Sequence, residues 1–171
     1  MMRSIVPSAI GDVDLGDDVL EVGPGYGAAT DIVSESAKAL TAVEIDKQLV
    51  DFLEDRFASQ PHVQIRQGDA TALEFDDARF TGAICFTMLH HVPSGDLQDR
   101  LFAEVCRVLR PGAALVASDN LANPELEAHH DGDTYNPIDP ATLPARLQAA
   151  GFVDITVTTN PFAWQATAHA P

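Results

Sequence analysis

The stretch Glu21-Val22-Gly23-Pro24-Gly25-Tyr26-Gly27 sets three glycines within five residues, directly after an apolar run that begins at Val19. Glycine lacks a Cβ, so it adopts positive φ readily and lets a ligand approach the main chain to contact distance. The stretch therefore reads as a strand-to-helix turn that receives a ligand. Two chemistries use such a turn. The dinucleotide fingerprint G-x-G-x-x-G/A, with an acidic residue about 20 positions on, is met loosely by Gly23, Gly25 and Ala28 together with Glu44. Against it, Pro24 removes an N–H where a pyrophosphate needs donors. Glu21, two residues ahead of the first glycine, adds a carboxylate that suits the positively charged end of an amino acid. The string E-x-G-x-G-x-G favours a ligand without a phosphate.

Two further groups of residues can do chemistry. His90 and His91 follow the apolar run of residues 82–87, and a neutral imidazole serves as a base near pH 7. Position alone does not establish reach, and hydrogen bonding to the loop is the simpler role for the pair. The second group is His129, His130, Asp131, Asp133 and Tyr135. Its imidazoles and carboxylates are metal-ligand types, but they do not alternate on a rigid element as metal geometry demands. No metal is expected, and a solvated or acceptor-binding loop is the preferred reading.

The elements that position these residues alternate between strand and helix. Residues 19–22 predict a first strand, 28–39 a helix with apolar residues at mostly helical spacing, and 40–45 a second strand. Short crossovers of this kind favour parallel pairing and bring Glu44 to the carboxyl end of the second strand, near the glycine turn. Asp46 is a suitable cap for an amphipathic helix over 47–58, and 63–66 form a third strand closed by Gly68-Asp69-Ala70. The run 82–87 is apolar until it ends in the Thr87 hydroxyl, as expected for a central buried parallel strand. Ser94 or Asp96 caps the next helix, Pro111-Gly112 stops it, and 113–118 form a fifth strand.

Residues 119–140 are the longest irregular stretch, and loops of that length in a compact domain are usually functional or disordered. A helix then ends before Gly151, and residues 152–158 and 162–168, joined by Asn160-Pro161, predict an antiparallel hairpin. Phe162, Trp164, Ala166 and Ala168 alternate, which points all four inward.

At compatible spacings, four motifs resemble the class I S-adenosylmethionine-dependent methyltransferases. These are the Glu21–Gly27 stretch, Val43-Glu44-Ile45-Asp46, Gly68-Asp69-Ala70 and Arg107-Val108-Leu109-Arg110-Pro111-Gly112; the resemblance covers roughly residues 17–168. It implies an α/β fold: a doubly wound, Rossmann-like, seven-stranded sheet, mostly parallel, with an antiparallel last strand in the hairpin of strands 6 and 7. It also implies S-adenosyl-L-methionine as cofactor and S-adenosyl-L-homocysteine as product.

In that family the glycine turn, here Gly23, Gly25 and Gly27, meets the methionine portion of the cofactor. Glu21 would organise the turn and help hold the amine, and Glu44 would accept from both ribose hydroxyls. Ile45 would pack on adenine, Asp69 with Ala70 would receive its amine and flat ring, and Phe86 and Thr87 would line the side of the reacting methyl. His90 and His91 fall in the family's fourth motif, where a base is needed only if the acceptor must lose a proton. His129, His130 and Tyr135 would bind the acceptor. Residues 1–16 hold at most one short helix, less than many relatives fold over the cofactor. The 119–140 loop, or a partner chain in a homodimer, would then close the pocket.

The chain has 171 residues, 46% apolar and 21% charged, which fits one globular domain, 1–171. Its net charge of −16 repels phosphate backbones and anionic lipid. The expected acceptor is accordingly a small molecule, with no nucleic acid and no membrane among the partners. No apolar run approaches the roughly 18 residues of a span, and the amino terminus leads into no apolar signal core, so the expected location is cytoplasmic. Cys85 and Cys106 are expected as small buried hydrophobes. Two rival functions are a nicotinamide-linked oxidoreductase and a non-catalytic cofactor-binding module. The hairpin tail, Glu21 and the lack of room for a substrate domain weigh against the first, while the short amino terminus lends weight to the second.

Overall fold

The computed structural model describes Val6, residues 8–129 and residues 132–171. Seven strands form one sheet in the order β3-β2-β1-β4-β5-β7-β6. They are β1 Asp18–Val22, β2 Ala39–Glu44, β3 Val63–Gln67, β4 Phe80–Phe86, β5 Leu109–Asn120, β6 Val153–Thr159 and β7 Ala163–His169. The first five pair in parallel, and β7 runs antiparallel to both β5 and β6. This is the expected doubly wound sheet with a reversed last strand. The central strands β1 and β4 are almost wholly buried, which is why they are mostly apolar and do not alternate, with Glu21 the buried charged exception in β1.

The helices are α1 Ala28–Val33, α2 Lys47–Phe57, α3 Gly95–Val108, α4 Pro124–His129 and α5 Leu143–Ala149. Asp46 caps α2 by accepting from the Gln48 N–H, and the Ser94 hydroxyl caps α3 by accepting from Leu97 N–H. Apolar residues of α1 and α2 share one core with Val6, Ala9, Val19 and Ile84. Those of α3 and α5 share the other with Leu20, Val22, Leu115 and Trp164. Strand order reverses between β1 and β4, and open α/β sheets bind ligands at the carboxyl edge beside such a reversal.

Three local expectations are corrected. Helix α1 ends at Val33, well short of 39, because the Ser34 and Ser36 hydroxyls bond back to the Asp31 and Val33 carbonyls and the chain tightens into turns. Strand β5 starts at Leu109, directly after α3, and takes up Arg110–Gly112 in a bulge between the pairs Phe80↔Leu109 and Gly82↔Ala114. Phe162 is 76% exposed, whereas Trp164, Ala166 and Ala168 are buried. It sits in the hairpin turn, where Asn160 Oδ1 accepts from the Phe162 and Ala163 N–H groups, and so lies outside the strand alternation. The 119–140 stretch is also more ordered than a plain loop, since β5 runs to Asn120 and α4 follows.

Candidate functional site

The three glycines have different neighbours. All take positive φ, but a Cβ on Gly23 would stand 2.7 Å from the Met88 side chain and one on Gly27 would collide with Leu53 and Phe57. Around the same position on Gly25 nothing lies within 4 Å. Gly23 and Gly27 thus serve close packing, while Gly25 forms the floor of an open cradle. The Gly23 contact also places the turn after β4 directly against the turn after β1.

Glu21, one residue before the end of β1, is 3% exposed. Burial pushes its carboxyl from the ordinary 4.5 up to about 7, with Thr30 opposing and the carboxylates of Asp31 and Glu44 adding to the rise. Its Oε2 and the Thr30 Oγ1 both lack a hydrogen-bond partner among the described residues. A buried carboxylate oxygen without a donor, next to an open cradle, fits a ligand that brings a cation or a donor.

Glu44, at the carboxyl end of β2, is buried and held by main-chain donors alone. Its Oε1 accepts from Ile45 N at 2.9 Å and Asp46 N at 3.1 Å, and its Oε2 accepts from Gly25 N at 3.2 Å. The last bond ties the cradle to β2. Each carboxylate oxygen has room for a second donor, so Oε2 can still accept from a ligand hydroxyl. Beside it Ile45 is 66% exposed, which is unusual for an isoleucine and supplies an apolar platform. Gly68 N donates to the Glu44 carbonyl at 2.9 Å and brings the turn after β3 alongside. Asp69, in that turn, is exposed and uses Oδ1 to accept from the backbone and hydroxyl of Thr71. Ala70 packs against the adjoining core.

At the end of β4, Phe86 is buried and Thr87 is exposed with φ 55°. Positive φ in a β-branched residue is a strained conformation that tends to occur at functional sites. Residues Leu89–His91 form a single 3-10 turn. His90 is 5% exposed, and its Nδ1 lies 2.7 Å from Asp119 Oδ1. Asp119 also accepts from the His90 N–H through Oδ2, at 3.0 Å, and from the Asn120 N–H through Oδ1, at 2.7 Å. The sequence reading missed Asp119. The available signal was a carboxylate closing the apolar run of β5 at the same sheet edge as the two histidines.

His91 is the more exposed of the pair; its ring centre lies 4.2 Å from that of His90 and its Nδ1 lies 3.6 Å from Asp133 Oδ2. The Tyr135 ring stands 5.9 Å from His90, and its hydroxyl accepts from Asn123 N. Asn136 completes the attachment: its N–H donates to the His90 carbonyl at 2.7 Å and its side chain to the Val92 carbonyl at 3.0 Å. Residues 133–136 are therefore fastened to the turn that follows β4. His130 and Asp131 lie outside the described residues, and His129 is described only as the last residue of α4.

The sheet edge thus brings Glu21, Gly25, Glu44, Ile45, Thr87 and His90 to the ends of three adjacent strands. Residues 20–117, more than half of the chain, match the methyltransferase-domain family. The ribosomal RNA small subunit methyltransferase A of Parasynechococcus marenigrum is 39% identical over 106 residues, which are 60% of this chain and 35% of that protein. A Synechococcus protein of the same name is 35% identical over 114 residues, 65% of this chain and 40% of its own length. The chain spans well under half the length of these curated relatives.

Among solved structures, a SAM-dependent methyltransferase of Methanosarcina mazei shares the fold with a TM-score of 0.77 at 19% identity, over 95% of this chain and 96% of its own. Phosphoethanolamine N-methyltransferase 2 of Haemonchus contortus, in complex with S-adenosyl-L-methionine, gives 0.81 at 14% identity, over 99% of this chain and 52% of that one. No described helix is long and apolar enough to cross a membrane.

The relatives correct one expectation. The exclusion of nucleic acid, and with it the small-molecule acceptor, is overturned by curated relatives whose names specify ribosomal RNA. The exclusion rested on net charge, which governs long-range attraction to phosphate. It carries no information about which atom the site presents to the methyl donor.

Proposed function

Because the chain belongs to the methyltransferase-domain family, we propose that it transfers the methyl group of S-adenosyl-L-methionine to RNA. The observation that carries the cofactor is the open cradle over Gly25, flanked by the unpartnered Glu21 Oε2 and by Glu44 clamped on three main-chain N–H groups. S-adenosyl-L-methionine supplies a methyl on a sulfonium, with a neutral thioether as leaving group, so alignment and loss of water can furnish much of the acceleration.

In this reading Glu21 balances the positive amino-acid end below the cradle, and its elevated proton affinity means that cofactor binding near neutral pH displaces a proton. Gly23 and Gly27 let the turn close on Met88 and on α2. Glu44 Oε2 accepts from the ribose, Ile45 carries the adenine ring, and Asp69 Oδ2 with Ala70 completes that end. Phe86 and Thr87 border the methyl. Tyr135 borders the acceptor, carried by the segment that Asn136 fastens beside His90, and His129 and His130 are assigned to the acceptor from the sequence alone. Residues 1–171 act as one unit. RNA as acceptor is supported by the names of the curated relatives, which match 60% and 65% of this chain.

The test has two arms. Calorimetric titration with S-adenosylmethionine, S-adenosylhomocysteine and NAD should give binding for the first two alone. Radiolabelled S-adenosylmethionine should then label small-subunit ribosomal RNA transcribed in vitro. Binding of NAD alone overturns the cofactor. Binding of S-adenosylmethionine with no label in the RNA overturns the acceptor and leaves a cofactor-binding module.

A further inference from the structure

Residues 68–79 cross from the carboxyl end of β3 to the amino end of β4 without a helix or strand of their own. A crossover between parallel strands usually contains a helix, which satisfies its own main-chain groups. Here two side chains of α3 take over that task. Glu104 Oε2 accepts from Leu73 N at 2.8 Å, while Arg107 donates to the Leu73 carbonyl through Nη2 at 2.9 Å and to the Phe75 carbonyl through Nη1 at 2.8 Å. The two side chains also bind each other side-on, Nε to Oε1 at 2.9 Å and Nη2 to Oε2 at 2.8 Å, and Nη1 reaches Asp77 Oδ1 at 2.7 Å. Arg107 thereby makes five bonds, as many as a guanidinium has N–H groups. At 32% and 23% side-chain exposure the ionic attraction alone contributes little. What the fork of the arginine adds is the hold on the main chain of Leu73 and Phe75. Arg107 also opens the motif of residues 107–112, the one motif to which the cofactor site gives no part.

This hold falls four residues after Asp69. The Asp69 turn is tied at its near end by Gly68 N on the Glu44 carbonyl, at 2.9 Å, and internally by Ala72 N on the Asp69 carbonyl, at 3.0 Å. Thr71 occupies Asp69 Oδ1 with two donors, which leaves Oδ2 open to a ligand. The far end of the turn is Leu73, whose side chain is buried in the core and whose N–H and carbonyl are both held by the pair. Resting on the proposed binding of S-adenosyl-L-methionine with its adenine at Asp69, we propose that Glu104 and Arg107 are positioning residues for base recognition. By fixing Leu73 they set the Asp69 turn where Oδ2 meets the exocyclic amine, and with it the preference for adenine over a base that carries a carbonyl there. Such a carbonyl would face the carboxylate acceptor to acceptor, so the preference has a repulsive part as well as an attractive one.

The experiment uses the full chain and its variants Arg107→Lys, Glu104→Gln, Asp77→Asn and Asp69→Ala. Each is titrated calorimetrically with S-adenosylhomocysteine and with its inosine counterpart, in which a carbonyl oxygen replaces the amine. The parent should bind the adenine ligand about tenfold or more tighter, as a hydrogen bond to a charged acceptor gives. Asp69→Ala should bring that ratio near one. Arg107→Lys keeps the charge and loses the fork, and Glu104→Gln keeps the size and loses an acceptor oxygen. Each should reduce the ratio to about threefold or less, chiefly by weakening the adenine ligand. Asp77→Asn alters only an exposed partner of Arg107 and should keep the ratio of the parent.

Thermal melting followed by circular dichroism accompanies every titration. Folded Arg107→Lys and Glu104→Gln proteins that weaken both ligands alike and keep the parent's ratio would make the pair a plain staple and overturn the inference. Loss of the fold in both variants would overturn it as well; where one of them folds, its ratio decides. A parent without preference, or a preference that Asp69→Ala leaves unaltered, overturns the inference while leaving cofactor binding intact. Failure of the parent to bind S-adenosylhomocysteine overturns the cofactor reading itself.

Discussion

Gly25 and Gly27 share a sequence motif and a positive φ, yet substitution at the two should fail in opposite ways. An alanine methyl at Gly25 enters open space, so Gly25→Ala is expected to fold with a backbone penalty of about 1 kcal/mol and to lose cofactor affinity by tenfold or more, read by calorimetry. Gly27→Ala drives a methyl into Leu53 and Phe57 and should lower the unfolding midpoint first. Equal affinity in Gly25→Ala and the parent would show that the cradle faces no ligand. At Glu21 the prediction concerns pH. Its carboxyl titrates near 4.5 when unfolded and at about 7 when folded, so the folded protein holds the proton more tightly. The contribution to stability is fully present below about pH 4.5 and is lost as pH rises through 7, a loss of about 3 kcal/mol. Glu21→Gln should abolish that dependence and be the more stable protein above pH 7 without ligand, while binding S-adenosylmethionine less tightly. Denaturant unfolding across this range checks it, and parallel curves for the two proteins would remove the effect. The residues of the glycine turn were legible because chain neighbours compose them. Asp119 was not, because its partner His90 lies 29 positions away and only the pairing of β4 with β5 brings them together.

The central strands were legible for a physical reason: strands buried on both faces are written mostly as apolar residues, and the residues Asn160-Pro161 favour a turn that reverses the chain into the final hairpin. Where side chains compete with the backbone, the pattern misled. The serines at 34 and 36 continue a helical spacing but bond to carbonyls three residues back, and α1 stops early. The segment after β5 was legible only as a length. Its attachment depends on Asn136, whose backbone and side chain reach His90 and Val92 and whose carbonyl accepts from Gln98 Nε2 at 2.9 Å. Removing the side chain in Asn136→Ala leaves the Val92 carbonyl without its donor, at a cost of about 1–3 kcal/mol where the group stays dry. The expected outcome is faster limited proteolysis within residues 121–138 and reduced methyl transfer, with cofactor affinity nearly unchanged. Tyr135→Phe, which deprives the Asn123 N–H of its acceptor, should act in the same direction and more weakly. Should either variant change cofactor affinity as much as transfer, the segment belongs to the cofactor side of the cleft.

A molecule with 26 acidic and 10 basic side chains has few cations to offer a phosphate backbone. Several of the described ones are already committed: Arg56 to Asp31, Arg79 to Asp18, Arg107 to Asp77 and Glu104, and Arg146 to Asp99. Counterion release scales with the number of phosphates neutralised, at about −0.7 per phosphate in log affinity against log salt for single strands. A chain that reaches RNA through a base seated at the carboxyl edge, and not through its backbone, should therefore bind weakly and with little response to salt. The expected slope between about 50 and 200 mM salt is shallower than about −2, corresponding to no more than about three phosphates. Under the proposed function unpaired loops should be preferred over duplex, since a base must be splayed out to reach Thr87 at the carboxyl edge of the sheet. The measurement is fluorescence anisotropy of labelled small-subunit ribosomal RNA fragments across that salt range, with S-adenosylhomocysteine present. A slope steeper than about −4 would mean that the acidic exterior conceals a cationic track, and that net charge had misrepresented the surface a second time. A shallow slope combined with methyl transfer would mean that the negative field acts as a filter, weakening every RNA alike and leaving selection to the single nucleotide that fits the edge of the sheet.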